Sequence, residues 1–301
     1  ANLQGDEFMP PTAIGASPSQ AAESRIKDGD SVIFFNFRGD RPREIAKAMV
    51  LDDDALGEEP RGGFERQRRL QNIRFTGLTR YQEGLPISVI FEKVERLPAT
   101  LGETIARADR TQLRCAETEK FPHVTFFFND YREEPFDGER RILIQSPTEV
   151  ATYDQKPEMS ARAVCDAVLE RLGSTECESL IVVNFANGDM VGHTGVFEAA
   201  RSACEVVDEC VGRLIEATLS KDGSLLITAD HGNAERMWNT KEACPHTAHT
   251  NFDVPLHLVG ARWRNVGLRK NGRLADIGPT ILEMMDVPAP EPMTGRSLIE
   301  H

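Results

Sequence analysis

Two textures of hydrophobic and polar positions follow one another along the chain. From Ser31 to Phe37 the run SVIFFNF is apolar and rich in strand-forming residues, and Arg43–Val50 after it has helical character. Pro42 suits the first turn of that helix, because the N–H it lacks would have no partner there. The first 30 residues show no helix or strand that would open a fold, and they pass through Pro10-Pro11 and Ser17-Pro18. Residues 52–71 are charged and carry Gly and Pro, which predicts a loop. Leu85–Phe91 (LPISVIF) reads as a further strand.

From about residue 93 helix and strand alternate. The pattern predicts helices over Glu103–Arg107, Met159–Leu172, Gly195–Leu219 and Ala275–Met285. It predicts buried strands over Arg141–Gln145, Leu180–Asn184, Ser224–Thr228 and Val254–Val259. Short β-rich runs separated by amphipathic helices imply an α/β sheet covered on both faces. The change of texture places a domain boundary near residues 85–95, giving units 1–92 and 93–301. There is no internal repeat and no low-complexity tract.

Composition narrows the function. A chain of 301 residues with 40% hydrophobic positions can build one large core or two ordinary ones. No run approaches the ~18 apolar residues of a membrane span, and no basic-then-apolar leader opens the sequence, so a soluble chain is expected. The net charge of −13 argues against a nucleic-acid partner. It would also repel a phosphorylated substrate, so such a site needs concentrated positive charge from Arg, Lys or metal. Six cysteines with no CxxC pair point to thiols in a reducing cytoplasm rather than to a disulfide framework.

Candidate chemistry gathers beside the predicted strand ends. In Asn184-Phe-Ala-Asn-Gly-Asp-Met-Val-Gly-His193, Asp189 and His193 are four apart and share a face of a helical turn. In open α/β sheets ligands collect at the carboxyl ends of strands. Taken alone, a capping Asp and an exposed His explain the run as well. Thr228-Ala-Asp-His-Gly-Asn233 follows the next strand; a tight turn at Gly232 would let Asp230 and His231 converge on one ion, although a simple turn with a helix cap reads the same way. Pro245-His-Thr-Ala-His-Thr250 precedes Val254–Val259, and His249 reaches the same edge if that strand runs antiparallel to its neighbour. Three Asp/His clusters at strand ends, in a chain of seven histidines, favour a metal site. Carboxylate-rich ligation favours two Mn²⁺ over a closed structural zinc.

Positive charge is supplied elsewhere. Phe37-Arg-Gly-Asp-Arg41 stands at a strand end and helix start, where Arg38 and Arg41 could grip a carboxylate or phosphate together with the helix N-terminus. A salt bridge to Asp40 with a solvated Arg is the alternative. Lys120, in the run from Cys115 to Phe128 (CAETEKFPHVTFFF), is either an ordinary surface lysine or one directed at a phosphate site; His123 lies in the same run.

The ordered runs FFNFRGDRPREI, AETEKFPHVTFFFN, ATYDQKPEMSA, VVNFANGDMVGHTG, LITADHGNAE and HTAHTNFDVP resemble the cofactor-independent phosphoglycerate mutases over roughly residues 31–255. The opening GDEFMPPTAI is similar to a segment from the middle of that family's full-length chain. The resemblance implies an alkaline-phosphatase-like domain with two Mn²⁺ and an inserted phosphotransferase domain, of which 1–92 and 93–301 would be the C-terminal parts. It implies Asp189, His193 and His249 on one metal, and Asp230 and His231 on the other. It implies Arg38 and Arg41 on the phosphoglycerate and Lys120 on the phosphate. The activity implied is interconversion of 3- and 2-phosphoglycerate through a phosphoserine, without 2,3-bisphosphoglycerate, in a cytoplasmic enzyme that is monomeric at full length.

The family's nucleophilic Ser and one metal-binding Asp have no counterpart in these residues, and Ser146 and Ser160 lie in other family runs. The chain is therefore expected to be inactive alone, to show an unpaired sheet edge and exposed apolar surface, and either to be poorly soluble or to have a partner that supplies an N-terminal segment. Other readings are a phosphomutase or phosphomonoesterase of the same superfamily, or a non-catalytic metal-binding remnant.

Overall fold

The computed structural model describes residues 12–39, 41–58, 63–92 and 96–301. They divide into two compact units, one ending at Arg96 and one spanning Leu97–His301. Asp40 and most of the GDEFMPPTAI segment lie outside the described residues.

The first unit opens with a short helix, α1 (Pro18–Glu23), where no element was expected. The Ser17 hydroxyl accepts from the Gln20 N–H at 3.2 Å and Pro18 occupies the first turn, so the Ser-Pro pair is a helix start rather than a breaker. β1 (Ser31–Phe34) is shorter than its apolar run, because the chain turns at Asn36: its N–H donates to Phe34 O and its side chain accepts from the Arg38 N–H. After α2 (Pro42–Val50), the charged segment predicted as a loop contains α3 (Asp53–Gly57), capped by the Asp52 carboxylate on the Ala55 N–H at 2.8 Å. The charges read as loop signals are partly capping charges.

β2 (Arg74–Thr79), which the hydrophobic pattern did not predict, is the middle strand of a parallel sheet ordered β1-β2-β3, with β3 at Ser88–Phe91. One face packs Phe34, Ala46, Phe75, Tyr81 and Leu85 together. The other leaves Ile33 69% and Ile90 47% exposed, unlike the two covered faces usual for parallel strands.

The second unit runs α4 (Leu101–Arg107), β4 (Gln112–Glu117), α5 (Phe121–Val124), β5 (Glu139–Ile144), α6 (Ala161–Gly173), β6 (Leu180–Asn184), α7 (Asn187–Gly192) and α8 (Phe197–Leu219). It continues through β7 (Leu225–Thr228), the two-residue strands β8 (Trp238–Asn239) and β9 (Cys244–Pro245), β10 (Leu256–Val259) and α9 (Ile277–Met284). β4 is the centre of a parallel sheet β5-β4-β6, and all six of its residues are buried. Its polar letters (Gln112, Arg114, Glu117) conceal this from a hydrophobicity pattern. Arg114 is accommodated inside by a hydrogen bond to Gln112 at 2.6 Å and by the Phe128 ring 4.3 Å away. Leu113 and Cys115 meet Val164, Val168, Cys210 and Leu214 of α6 and α8 in the main core.

β10 pairs antiparallel with β7, Leu256 opposite Thr228. The condition set above for His249 is therefore met: the segment entering β10 lies beside the end of β7. Among the described residues β6 pairs only with β4, and β7 only with β10.

Candidate metal centre

Four segments that follow or precede strands carry the site. α7, directly after β6, places Asp189 in its first turn and ends in His193, whose N–H donates to Asp189 O. The turn after β7 carries Asp230 and His231. The segment leading to β10 carries His249, and its Thr250 bridges back to Gly232. The turn after β4 presents Lys120.

The Asp189 carboxylate is the centre of this group. Its Oδ1 lies 3.0 Å from His193 Nε2, 3.0 Å from His249 Nε2 and 3.9 Å from His231 Nε2. The Asn233 side chain donates to the same oxygen at 2.8 Å, and the buried Lys120 ammonium pairs with Oδ2. Burial pushes the Asp189 carboxyl up, but the hydrogen bonds from His193 and Lys120 and the lysine charge outweigh it and hold the group ionised, well below the carboxylate range.

The histidine ring nitrogens face this carboxylate. His193 Nδ1 lies 2.6 Å from Thr247 O; donating there fixes the tautomer and turns the Nε2 lone pair into the site. His193 Nε2 and His249 Nε2 are 3.1 Å apart, and the His231 and His249 rings stack at 3.8 Å. Burial lowers the His249 pKa, favouring the neutral, ligating form, although Asp189 pulls the other way. Asp189, His231 and His249 each bring a ligand atom to within 4.8 Å of the others. Imidazole nitrogens converging on an ionised carboxylate oxygen, one of them backed by a carbonyl, fit a divalent cation.

Close approach needs glycine at two positions. A Cβ at Gly192 would lie 2.4 Å from the Asn233 amide oxygen, and one at Gly232 would lie 2.2 Å from Thr250 Oγ1. Asn233 is 4% exposed and donates to both the backbone and the side chain of Asp189. Nothing in the sequence pattern marked it as more than the letter after a glycine turn.

The remaining sequence candidates are placed as follows. Asp230 is exposed, with its carboxylate 3.8 Å from His231 Nε2, and it stands outside the Asp189–His231–His249 group. His123 packs edge-on against Phe127, at 5.3 Å between ring centroids. Arg38 and Arg41 belong to the first unit, exposed where the chain leaves β1 and enters α2; Arg41 is the residue before Pro42.

A fold of parallel strands with a carboxylate–imidazole cluster at their ends defines a class, and the family model of the metalloenzyme superfamily matches residues 14–289. The chain belongs to that superfamily. It is 52% identical to the 2,3-bisphosphoglycerate-independent phosphoglycerate mutases of Rhodopirellula baltica and of Syntrophotalea carbinolica, in each case over 300 residues, 100% of this chain and 55% of the relative. The chain thus spans about half the length of the curated relatives it matches. A crystal structure of Leishmania mexicana phosphoglycerate mutase at low cobalt concentration superposes with a TM-score of 0.78 at 31% identity, covering 91% of this chain and 51% of that one. No helix among the described residues is long and apolar enough to cross a membrane.

Proposed function

We propose that this chain forms the metal-binding part of a phosphoglycerate mutase that interconverts 3- and 2-phosphoglycerate without 2,3-bisphosphoglycerate. The convergence of His193 and His249 Nε2 on one oxygen of an ionised Asp189 carries the reading. Asp189, His193 and His249 hold one Mn²⁺, and His231 with Asp230 holds the second. Residues 1–92 are part of a phosphotransferase domain and residues 93–301 part of the metal-binding domain. The working enzyme is a cytoplasmic monomer.

The cations, when bound, supply Lewis-acid charge that lowers the pKa of an attacking hydroxyl and offsets charge on a transferring phosphoryl group. The chain's own residues do the rest. Thr247 O holds His193 in the ligating tautomer, and Asn233 fixes the Asp189 carboxylate. Lys120, buried beside Asp189, adds a cation where the phosphoryl oxygens gain charge. Arg38 and Arg41 hold the phosphoglycerate, since a planar guanidinium grips a carboxylate or phosphate through two N–H groups. The serine that accepts the phosphoryl group comes from a segment outside these residues.

A chimera tests this. The chain is joined to the N-terminal segment of the Rhodopirellula baltica relative and assayed for 2-phosphoglycerate with an enolase-coupled reaction. Turnover that disappears in His193→Ala supports the reading. A metal-loaded, folded chimera that releases inorganic phosphate instead would make the protein a phosphomonoesterase of the same superfamily, and one with neither activity would leave a metal-binding remnant.

A further inference from the structure

The turn that presents Lys120 is fastened to the end of the neighbouring strand by a buried polar clasp centred on Ser146. Ser146 is 3% exposed and stands two residues beyond β5. Its N–H donates to Thr118 Oγ1 at 3.1 Å, and its hydroxyl donates to Glu117 Oε2 at 2.8 Å. The same hydroxyl oxygen accepts from the Glu119 N–H at 3.4 Å. One serine therefore engages three consecutive residues, and Lys120 closes the turn with its own N–H on Glu117 O at 2.9 Å.

The far side of the turn is tied as well. The Tyr153 hydroxyl donates to Glu119 Oε1 at 3.0 Å, and the Ser160 N–H reaches Glu117 Oε1 at 3.4 Å. Burial raises the Tyr153 pKa to about 12, with the Glu119 charge adding to the effect, so the phenol stays a donor. Glu117 is fully buried, and burial raises its pKa despite the hydrogen bonds from Ser146 and Ser160. A carboxyl group is kept in the interior at this cost only if its partners hold it and it holds them. What the clasp fastens is the backbone from which Lys120 extends to Asp189.

We propose that Ser146, with Glu117, Thr118 and Tyr153, is a positioning residue for Lys120, setting where the ammonium stands at the metal centre. Its catalytic consequence rests on Lys120 serving the phosphoryl group as proposed above; its structural consequence does not. Lys120 is 6% exposed, so its amine is expected to be protected from labelling. Removing the Ser146 hydroxyl leaves a buried Glu117 oxygen and the Glu119 N–H without that partner, which opens the turn locally.

Two measurements separate the consequences. In the 301-residue chain, amine-labelling of Lys120 followed by peptide mass spectrometry is expected to quicken about tenfold or more in Ser146→Ala, through local opening. Ser146→Thr, which keeps the hydroxyl, is expected to restore protection. Val168→Ala, a core truncation that removes no hydrogen bond of the turn, is the control matched for lost stability and is expected to leave Lys120 protected. Thr118→Val breaks the other half of the clasp and serves if Ser146→Ala does not fold. In the chimera, Ser146→Ala is expected to lower kcat about tenfold with KM little changed, and to lower it no further in a Lys120→Ala background. Unchanged Lys120 labelling in both clasp variants, or equal labelling in Val168→Ala, overturns the positioning role. Faster labelling with kcat unchanged leaves the clasp standing and overturns the phosphate role of Lys120 instead.

Discussion

Asp189 shows how strongly a single side chain can be conditioned by its neighbours. Its carboxylate receives Asn233, lies 3.0 Å from two imidazole nitrogens and pairs with a buried ammonium. On the proposed ligand set, His193→Ala removes the nitrogen that the contact with Thr247 O orients; Mn²⁺ affinity by calorimetry is expected to fall at least about 100-fold, more than loss of an outer-shell partner costs. Asn233→Ala leaves all the proposed ligating atoms but frees the carboxylate, so a fall of about 10- to 100-fold is expected in the same titration. Equal affinity in wild type and His193→Ala would remove His193 from the metal. Asn233 could not be found from the sequence, because its place depends on Gly192, where a Cβ would lie 2.4 Å from the Asn233 amide oxygen.

Whole elements depend on burial that the letters only partly announce. β4 is fully buried although half its residues are polar, and Leu113 at 0% exposure packs within the α6–α8 core. Leu113→Ala should destabilise the chain by about 2–5 kcal/mol in a denaturant titration, the cost of a buried Leu truncation. At the start of α9, the Asp276 carboxylate accepts from the Arg296 and Arg273 N–H groups and from Arg269 at 2.8 Å. Burial pushes its pKa up, but these partners win and hold it at about 2, against an ordinary 3.8. A folded value below the unfolded one gives stability that is complete above the ordinary value and lost as pH falls through about 2. The stability gap between wild type and Asp276→Asn should therefore be widest near neutrality and close as acid protonates Asp276. A gap that stays constant down to that pH would show that the carboxylate's charge does not matter. The helices α6 and α8 and the strands β6, β7 and β10 were legible within two or three residues, since their apolar spacing and their burial agree. β2 and α3 were not: a glycine interrupts the first, and capping charges disguise the second.

At the scale of the whole molecule, each unit has its own parallel sheet. In the first, the face bearing Ile33 and Ile90 is open among the described residues. Ile33→Thr with Ile90→Thr removes exposed apolar surface at β-compatible positions, so stability should change by less than about 1 kcal/mol. Self-association, followed by light scattering against concentration, should decrease. A melting loss of the size seen for core truncation would mean that this face is covered in solution.

The sequence by itself determined the α/β class, the order of the long helices and strands, and which residue types stand at the strand ends, because periodicity and ligand chemistry are written locally. It brought Asp189, His193, His249, Asp230 and His231 forward as metal ligands, with Arg38, Arg41 and Lys120 for the phosphorylated substrate. Only the tertiary structure decided that Lys120 pairs with Asp189, that Thr247 O sets the His193 tautomer, that Asp230 stands outside the tight group, and that Ser146 fastens the lysine's turn. The contacts among these join residues 27 to 69 positions apart. Their energies depend on distance, burial and hydrogen-bond direction, which no local spacing along the chain encodes.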